Sequence, residues 1–299
     1  LEEARDYCND GCSELIIGGK GTIKFKVHDA LPVLNDLVFE TESRRYSTFD
    51  QVISDYKSRL DRLMPVEPGP ARPITFPFFA ASIEDCLAQA SPAAARYAIN
   101  GCILAQAGNA ADGLAAIKKL IFDDRVLTWN ELREAMQADF KGHEPLRQTL
   151  KNHTAKYGND EDYVDNILKE IAEHFCDGVH ERSGNAAGCM GKWAPGFMSF
   201  GIHRKSETPA SPDGRRKGEL TANSFSPSVG MDRSGPTAAL RSVSKVDLTR
   251  ASHGSVFDIA LHSGIVQGED AFEKFLALLT TFLKMRSAAP LQVNVIDRN

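Results

Sequence analysis

The sequence lacks any apolar run that approaches the roughly 20 residues of a membrane-spanning helix, which argues against an integral membrane protein. Its 35 Lys and Arg residues are outnumbered by 40 Asp and Glu, and the formal net charge of -5 gives no electrostatic case for binding nucleic acid. Six cysteines over 299 residues are too sparse for a disulfide scaffold. Internal repeats and low-complexity segments are also absent. These absences favour a globular protein of the reduced cytoplasm.

The length and the hydrophobic content, 42% of 299 residues, are sufficient for a large core in one or two domains. The chain begins at Leu1 without a methionine and enters helix-like sequence at once. This start predicts that the 299 residues are a segment of a longer protein.

Four stretches have apolar residues at helical spacing. Two begin with capping boxes, at Thr48 and at Thr128. A third covers residues 163–179, and the fourth, residues 272–283, is expected to bury one apolar stripe. Strands are predicted at residues 15–17, 196–202, 238–246, 256–261 and 291–296. The prolines between residues 64 and 77 predict a crossing loop. Helices and strands that alternate in this way indicate an α/β fold.

A cysteine and a carboxylate stand two positions apart near the start of the chain, in residues 9–14, which read NDGCSE. The side chains of Cys12 and Glu14 share one face of an extended segment, because side chains alternate along a strand. Gly11 permits a tight or left-handed backbone, which would place the thiol at the tip of a loop. A sulfur centre and a proton acceptor could then act on neighbouring atoms of one substrate. The triplet alone does not establish catalysis, since many Cys-x-Glu triplets are inert.

A second set of motifs adds to the triplet. Residues 208–219 read TPASPDGRRKGE, Ser226-Pro227 follow, and residues 235–245 read GPTAALRSVSK. This order resembles the signature of the glycyl radical enzymes, the pyruvate formate-lyase-like superfamily, in which a Gly-Cys-x-Glu loop carries a thiyl radical. Further matches at residues 95–97, 114–122 and 156–160 extend the resemblance over nearly the whole chain.

The resemblance implies a ten-stranded α/β barrel built from two half-barrels, with the catalytic cysteine on an inner finger loop. Residues 1–30 would form the finger loop and a strand, and residues 31–299 the second half-barrel with its surrounding helices. The first half-barrel would precede Leu1. The radical glycine loop of the family, Arg-Val-x-Gly-Tyr, occurs nowhere in the 299 residues and would follow Asn299.

The resemblance also implies roles for individual residues. Cys12 would become the thiyl radical that takes a hydrogen atom from the substrate, and Glu14 would be the base that takes a proton from an adjacent group. No cofactor would be bound directly, and a radical-SAM activase would install a glycyl radical outside this segment. The implied protein is a cytoplasmic lyase of anaerobic metabolism, a homodimer that acts on a small-molecule substrate.

The residues around the cysteine separate two branches of the family. Gly11 stands where pyruvate formate-lyase has a second cysteine, and Glu14 stands where that branch lacks a carboxylate. The pattern therefore favours dehydratases and C–X lyases, which cleave C–O, C–N or C–S bonds, over a formate C-acetyltransferase-type C–C lyase. The chain departs from the family at residues 210–211, which interrupt the Thr-Pro-Asp-Gly-Arg run, and at Asn223-Ser224, which replace Asp-Gly. A catalytically silent fragment or scaffold is the remaining alternative.

Other candidate sites have simpler structural interpretations. The glycine-rich residues 18–22 lack the spacing of a phosphate loop and predict a turn out of a strand. His174, Cys176 and His180 carry metal-binding groups, but Cys176 flanks an apolar helix stripe and is expected in a core. Arg215 is expected to pair with a carboxylate inside the barrel rather than to bind substrate. The same interior position as for Cys176 is expected for Cys86, Cys102 and Cys189.

Overall fold

The structure is a computed structural model, which describes residues 5–10, 13–40, 46–64, 74–182, 193–204, 208–265, 267–285 and 289–297. The strands are β1 (Tyr7–Asp10), β2 (Glu14–Ile17), β3 (Gly21–Asp29), β4 (Tyr97–Ala105), β5 (Trp193–Phe197), β6 (Gly254–Ser255), β7 (Phe257–His262) and β8 (Leu291–Ile296). The helices are α1 (Ala30–Phe39), α2 (Phe49–Asp61), α3 (Pro77–Ala81), α4 (Glu84–Ala88), α5 (Ala107–Ile117), α6 (Trp129–Gln137), α7 (Glu144–Asn152), α8 (Asp162–Arg182), α9 (Gly201–Arg204), α10 (Pro236–Ser244) and α11 (Glu269–Lys284).

Parallel strands form the frame of the fold. β3, β4, β5 and β6 are neighbours in that order in one parallel sheet, and β7 and β8 form a second parallel pair. Only Val256 separates β6 from β7, so one interrupted strand joins the two sheets. Helices lie in the crossovers between the parallel strands, as parallel pairing requires. The α/β architecture predicted from the sequence is confirmed.

The two faces of the sheet are buried differently. Leu104 of β4 belongs to the main core, which includes residues of α1, α5 and α8. Ile103 packs with Val27, Met198 and Val256 in a separate small cluster. Successive side chains of a strand point to opposite faces. The helices therefore cover one face, here called the helix face, and the small cluster marks the other, here called the inner face.

One of the two predicted capping boxes is confirmed. Glu131 N donates to the Thr128 hydroxyl at 3.3 Å, and Thr128 N donates to Glu131 Oε2 at 2.8 Å. The other is wrong, because the Thr48 side chain makes no capping hydrogen bond. Gln51 Oε1 instead accepts a hydrogen bond from Ser47 N at 2.7 Å. At the start of α2, Gln51 therefore makes the side-chain hydrogen bond to the backbone, and Thr48 does not.

Several predictions of local structure need correction. Residues 238–246 lie largely in helix α10 rather than in a strand, and the buried Ala239, Leu240 and Val243 have helical spacing. Residues 196–202 are divided between the end of β5 and the start of α9. β3, β4, α1 and α5 are present although the sequence patterns did not predict them. By contrast, helix α8 contains the predicted helix over 163–179.

Helix α11 forms where a helix is predicted, but the stripe expected to be buried is largely exposed. Phe272, Leu276 and Leu283 are 59%, 51% and 76% exposed, whereas Phe282 is 4% exposed and packs in the main core. The helix has apolar residues on two faces, and within the described part of the chain only the face with Phe282 is buried in the main core. In the predicted crossing loop, residues 65–73 lie outside the described residues.

Candidate active site

The cysteine–glutamate triplet is flanked by a β-hairpin. β1 pairs antiparallel with β2, with Tyr7 opposite Ile17 and Asp10 opposite Glu14. Gly11 and Cys12 lie outside the described residues, so the position of the thiol stays a prediction. The two strands bracket residues 11–13 in sequence, and Glu14 is the first residue of β2.

The base of the hairpin is tied together by Asp6 and Lys20. Lys20 Nζ lies 2.7 Å from Asp6 Oδ2, and Gly18 N donates to Asp6 O at 2.9 Å. Lys20 N also donates to Ile17 O at 3.2 Å. The glycine-rich segment therefore turns the chain from β2 into β3, as predicted.

Ser13 holds the tip of the hairpin against the inner face of the sheet. Its hydroxyl donates to Ser255 O at 3.1 Å and lies 3.7 Å from Met198 Sδ, a member of the inner-face cluster. Gly254 has a φ of +103°, and a Cβ at that position would stand 2.5 Å from Ser13 Oγ. Ser13 itself has a φ of 138°, which is strained for a residue with a side chain. The tip and the start of β6 thus fit together only because residue 254 is glycine.

Glu14 begins β2 immediately after this contact and is partly buried. Its Oε2 accepts a hydrogen bond from Ser13 N at 3.0 Å. A partly buried carboxylate that an adjacent amide holds in place is suited to act as a proton acceptor. The structure therefore brings Glu14 to the hairpin tip, while its juxtaposition with Cys12 stays a prediction.

The signature segment 208–219 forms a buried turn. Gly214 N donates to Ser211 O at 3.0 Å, and Gly214 has a φ of +87°, so residues 211–214 form a turn of the kind that a Ser-Pro-Asp-Gly sequence favours. Arg215 is 4% exposed, and among the described residues its guanidinium makes no ion pair. It donates instead to the backbone carbonyls of Thr208, Pro209, Arg216 and Glu219. The predicted partner was therefore wrong, although the structural role of Arg215 is confirmed.

A buried polar network joins this segment to α5 on the helix face. Asn109 Nδ2 donates to Asp213 Oδ2 at 2.7 Å, and Asn109 Oδ1 accepts from Ala222 N at 2.7 Å. Lys156 Nζ donates to Leu150 O at 2.7 Å and lies 3.5 Å from Asp213 O. These groups satisfy one another within the protein, as buried polar groups normally do. The network therefore attaches the signature segment to the core.

Asp112 of α5 belongs to the same network and is fully buried. It accepts hydrogen bonds from Ser228 Oγ at 2.6 Å and from Tyr157 N at 2.8 Å. Burial raises the pKa of Asp112 to about 7, against the opposing effect of the Lys156 charge. A cavity of about 310 Å³ adjoins the network. Both carboxyl oxygens of Asp112 are hydrogen-bonded within the protein. We therefore infer that Asp112 has a structural role and helps to hold the signature segment against the core.

The departure from the family at Asn223-Ser224 lies between β5 and β7. Asn223 Oδ1 accepts from Gly201 N at 2.7 Å, and the Asn223 side chain also hydrogen-bonds Asp258. Burial raises the pKa of that aspartate. Ser224 has a φ of +46°, a conformation that the family's glycine adopts without strain. Asn223 thus replaces the family's aspartate and makes hydrogen bonds of its own, and Ser224 replaces the family's glycine in a strained backbone conformation.

Three of the four cysteines expected in the interior, Cys86, Cys102 and Cys176, are buried, and Cys189 lies outside the described residues. Burial raises the pKa of the Cys102 thiol to about 12. His174 Nε2 lies 2.9 Å from Asp61 Oδ1, and His180 Nε2 lies 3.0 Å from Ser252 Oγ. Among the described residues, no three His, Cys, Asp or Glu side chains are placed to hold a metal ion. In the same residues, no helix combines the length and the apolarity needed to cross a bilayer.

Sequence reasoning missed one residue beside the hairpin. His253 precedes the glycine that Ser13 contacts, and its side chain is fully buried. A single histidine in a Ser-His-Gly sequence belongs to no spaced motif, so only the folded chain shows where it lies.

Two family models match the chain: pyruvate formate lyase-like over residues 71–203 and glycine radical over residues 221–299. The (2S)-3-sulfopropanediol dehydratase of Klebsiella oxytoca is 28% identical over 336 aligned residues, covering 99% of this chain and 40% of the relative. The isethionate sulfite-lyase of Nitratidesulfovibrio vulgaris is 32% identical over 206 aligned residues, which cover 64% of this chain and 23% of the relative. The glycerol-bound B12-independent glycerol dehydratase of Clostridium butyricum matches the fold with a TM-score of 0.82 at 28% identity, covering 99% of this chain and 40% of that chain.

The parallel α/β fold and both family models thus agree with the motifs in the sequence. The chain belongs to the glycyl radical enzymes, the pyruvate formate-lyase-like superfamily. It spans 40% of the length of the sulfopropanediol dehydratase and of the glycerol dehydratase that it matches. The glycine radical model matches residues 221–299, although no Arg-Val-x-Gly-Tyr motif occurs in the 299 residues.

Proposed function

We propose that the complete protein is a glycyl radical lyase that dehydrates a small polar substrate or cleaves its C–O, C–N or C–S bond. The observation that carries this proposal is the hairpin of β1 and β2. Ser13 seats the hairpin on the inner face of the sheet, and the partly buried Glu14 follows it directly. The similar proteins support the reaction class, since one is named a dehydratase and another a sulfite-lyase.

Cys12 and Glu14 divide the proposed chemistry into a hydrogen-atom transfer and a proton transfer. The Cys12 thiyl radical takes a hydrogen atom from one substrate carbon, and Glu14 takes a proton from a hydroxyl or similar group beside it. The resulting radical anion expels the leaving group, which departs with the bonding electrons and receives the proton from Glu14. The product radical then recovers the hydrogen atom from the Cys12 thiol. One-electron oxidation of that thiol would come from a glycyl radical that lies outside these residues and is installed by a radical-SAM activase.

The surroundings of the hairpin support this chemistry. The inner-face cluster of Ile103, Met198, Val256 and Val27 is apolar, and an apolar wall helps to exclude the water that would quench a radical. We propose that residues 1–30 form the finger loop and first strand, and that residues 31–299 form the second half of a ten-stranded barrel. The complete protein would be a homodimer in the cytoplasm.

Gly11 disfavours a formate C-acetyltransferase-type C–C lyase, because that branch has a cysteine at this position. The deciding experiment is anaerobic activation of the full-length protein with its activase and S-adenosylmethionine. Products are then screened over diols, amino alcohols, hydroxyproline and sulfonates. No turnover of any of them, despite a glycyl radical signal, would favour a catalytically silent scaffold.

Substitutions at the hairpin test the roles of the two residues. Cys12→Ala should abolish turnover while the glycyl radical signal in electron paramagnetic resonance is retained. Glu14→Gln should remove most turnover but still permit hydrogen abstraction, measured as exchange of substrate hydrogen. Cys8→Ala is the matched control, because Cys8 is an exposed cysteine on β1. Activity of Cys12→Ala equal to that of Cys8→Ala would refute the mechanism.

A further inference from the structure

The imidazole of His253 packs against Gly101 of β4, on the face of the sheet that the hairpin contacts through Ser13. A Cβ at Gly101 would stand 2.3 Å from both Cδ2 and Nε2 of the ring, so the ring occupies the space that a side chain at 101 would need. Gly101 is two residues from Ile103 on the same strand, and its missing side chain would therefore point to the inner face. His253 N donates to Pro195 O at 2.9 Å, which fixes the backbone beside β5. The ring is thus held on the inner face.

Within the described part of the chain, both ring nitrogens lack a hydrogen-bond partner. The side chain of His253 is 0% exposed, and neither Nδ1 nor Nε2 has a hydrogen-bond partner among the described residues. Burial lowers the pKa of His253 to about 4, so the ring is neutral at physiological pH. A neutral imidazole has one donor and one acceptor, and buried groups of this kind are normally satisfied. A partner that both accepts and donates, such as a hydroxyl or a water molecule, fits this pair of nitrogens.

The ring is also next to the proposed chemistry. Gly254 follows His253 and touches Ser13, whose hydroxyl donates to Ser255 O at 3.1 Å. Ser13 stands between Cys12 and Glu14 in the sequence. The two residues after His253 therefore form the seat of the hairpin that carries the proposed reacting groups.

We propose that His253 binds a hydroxyl oxygen on the inner face of the sheet, either of a buried water or of the substrate, and so acts as a positioning residue for the proposed reaction. This inference rests on the proposed function. The alternative is that the ring only fills space over Gly101, in which case a phenylalanine of similar shape would serve as well.

Crystals of the full-length, unactivated protein provide a test that does not depend on activity. An oxygen atom within hydrogen-bond distance of Nδ1 or Nε2 in the untreated crystal supports the proposal and identifies water. An oxygen that is present only after soaking with glycerol, used as a hydroxyl-bearing probe, supports it and identifies the substrate position. A ring without an oxygen neighbour in both crystals overturns the proposal.

Kinetics of the activated enzyme provide the second test. His253→Phe should lower kcat/KM at least tenfold with an unchanged glycyl radical yield, and His253→Gln, which keeps a donor and an acceptor, should recover part of the loss. A loss confined to kcat indicates bound water, and a raised KM indicates a substrate oxygen. The control is His28→Phe. Burial also lowers the pKa of His28 to about 4. His28 of β3 is in register with Leu104 of β4, however, so its side chain points to the helix face.

The outcomes separate this inference from the function on which it rests. If His253→Phe matches wild type in kcat and KM while Cys12→Ala is inactive, the role of His253 is refuted and the lyase proposal stands. If Cys12→Ala is active, the lyase proposal fails, and the crystals still decide whether His253 binds an oxygen.

Discussion

Gly254→Ala would test how much the contact of Ser13 with Gly254 and Ser255 stabilises the hairpin against the sheet. The new methyl group would stand 2.5 Å from Ser13 Oγ and 2.6 Å from Ser13 O. Ser13 would therefore have to retreat by about half an ångström even to reach 3.0 Å, the closest approach that Cβ atoms tolerate. That movement would weaken the 3.1 Å hydrogen bond from Ser13 Oγ to Ser255 O.

The expected cost has three parts. An alanine held at a φ of +103° costs about 1–3 kcal/mol in backbone strain. The lost hydrogen bond adds about 1 kcal/mol, and the remaining steric strain at Ser13 is of similar size. The hairpin contact alone should therefore weaken by about 2 kcal/mol, which corresponds to roughly a thirtyfold change in an opening equilibrium.

Amide hydrogen exchange of residues 5–20 in the full-length protein measures this opening, because local exchange reports local stability. Gly254→Ala should accelerate exchange in the hairpin by about thirtyfold, and it should also lower kcat of the activated enzyme. Gly142→Ala is the matched control, since Gly142 has a φ of +79° but nothing within 4 Å of the position of a Cβ. Equal hairpin exchange in the two variants would refute the close contact of Ser13 with Gly254 and Ser255.

Two further predictions concern the attachment of the signature segment to the core. Arg215→Lys should lower the free energy of unfolding by about 2–4 kcal/mol, because an ammonium group cannot reproduce the fork of hydrogen bonds to backbone carbonyls. Arg241→Lys, at a side chain that is 61% exposed, should cost less than about 1 kcal/mol in the same denaturant titration. Because the folded state retains the Asp112 proton up to a pKa of about 7, against an ordinary value of 3.8, stability should fall as pH rises through that interval. Asp112→Asn should flatten this decline in unfolding midpoints, and an unchanged pH dependence would contradict the assignment.

Local patterns in the sequence were reliable where one face of an element decides its structure. The helix over residues 163–179 has one apolar stripe and forms as predicted in α8. Residues 238–246 were misread as a strand, because a short segment with mixed apolar and polar residues fits either period. Burial of α11 could not be predicted, since it has apolar residues on two faces and the tertiary structure covers only the one that contains Phe282.

The sequence by itself determined the family, the α/β class and the candidate pair of Cys12 and Glu14, because these depend on the order and spacing of residues along the chain. Only the tertiary structure placed Ser13 against Ser255 and His253 across Gly101, pairs that are separated by more than 150 positions. It also showed that Arg215 donates to backbone carbonyls and not to the expected carboxylate. Such contacts arise when segments far apart in sequence meet across the face of a sheet, and no local pattern records which residues will then meet.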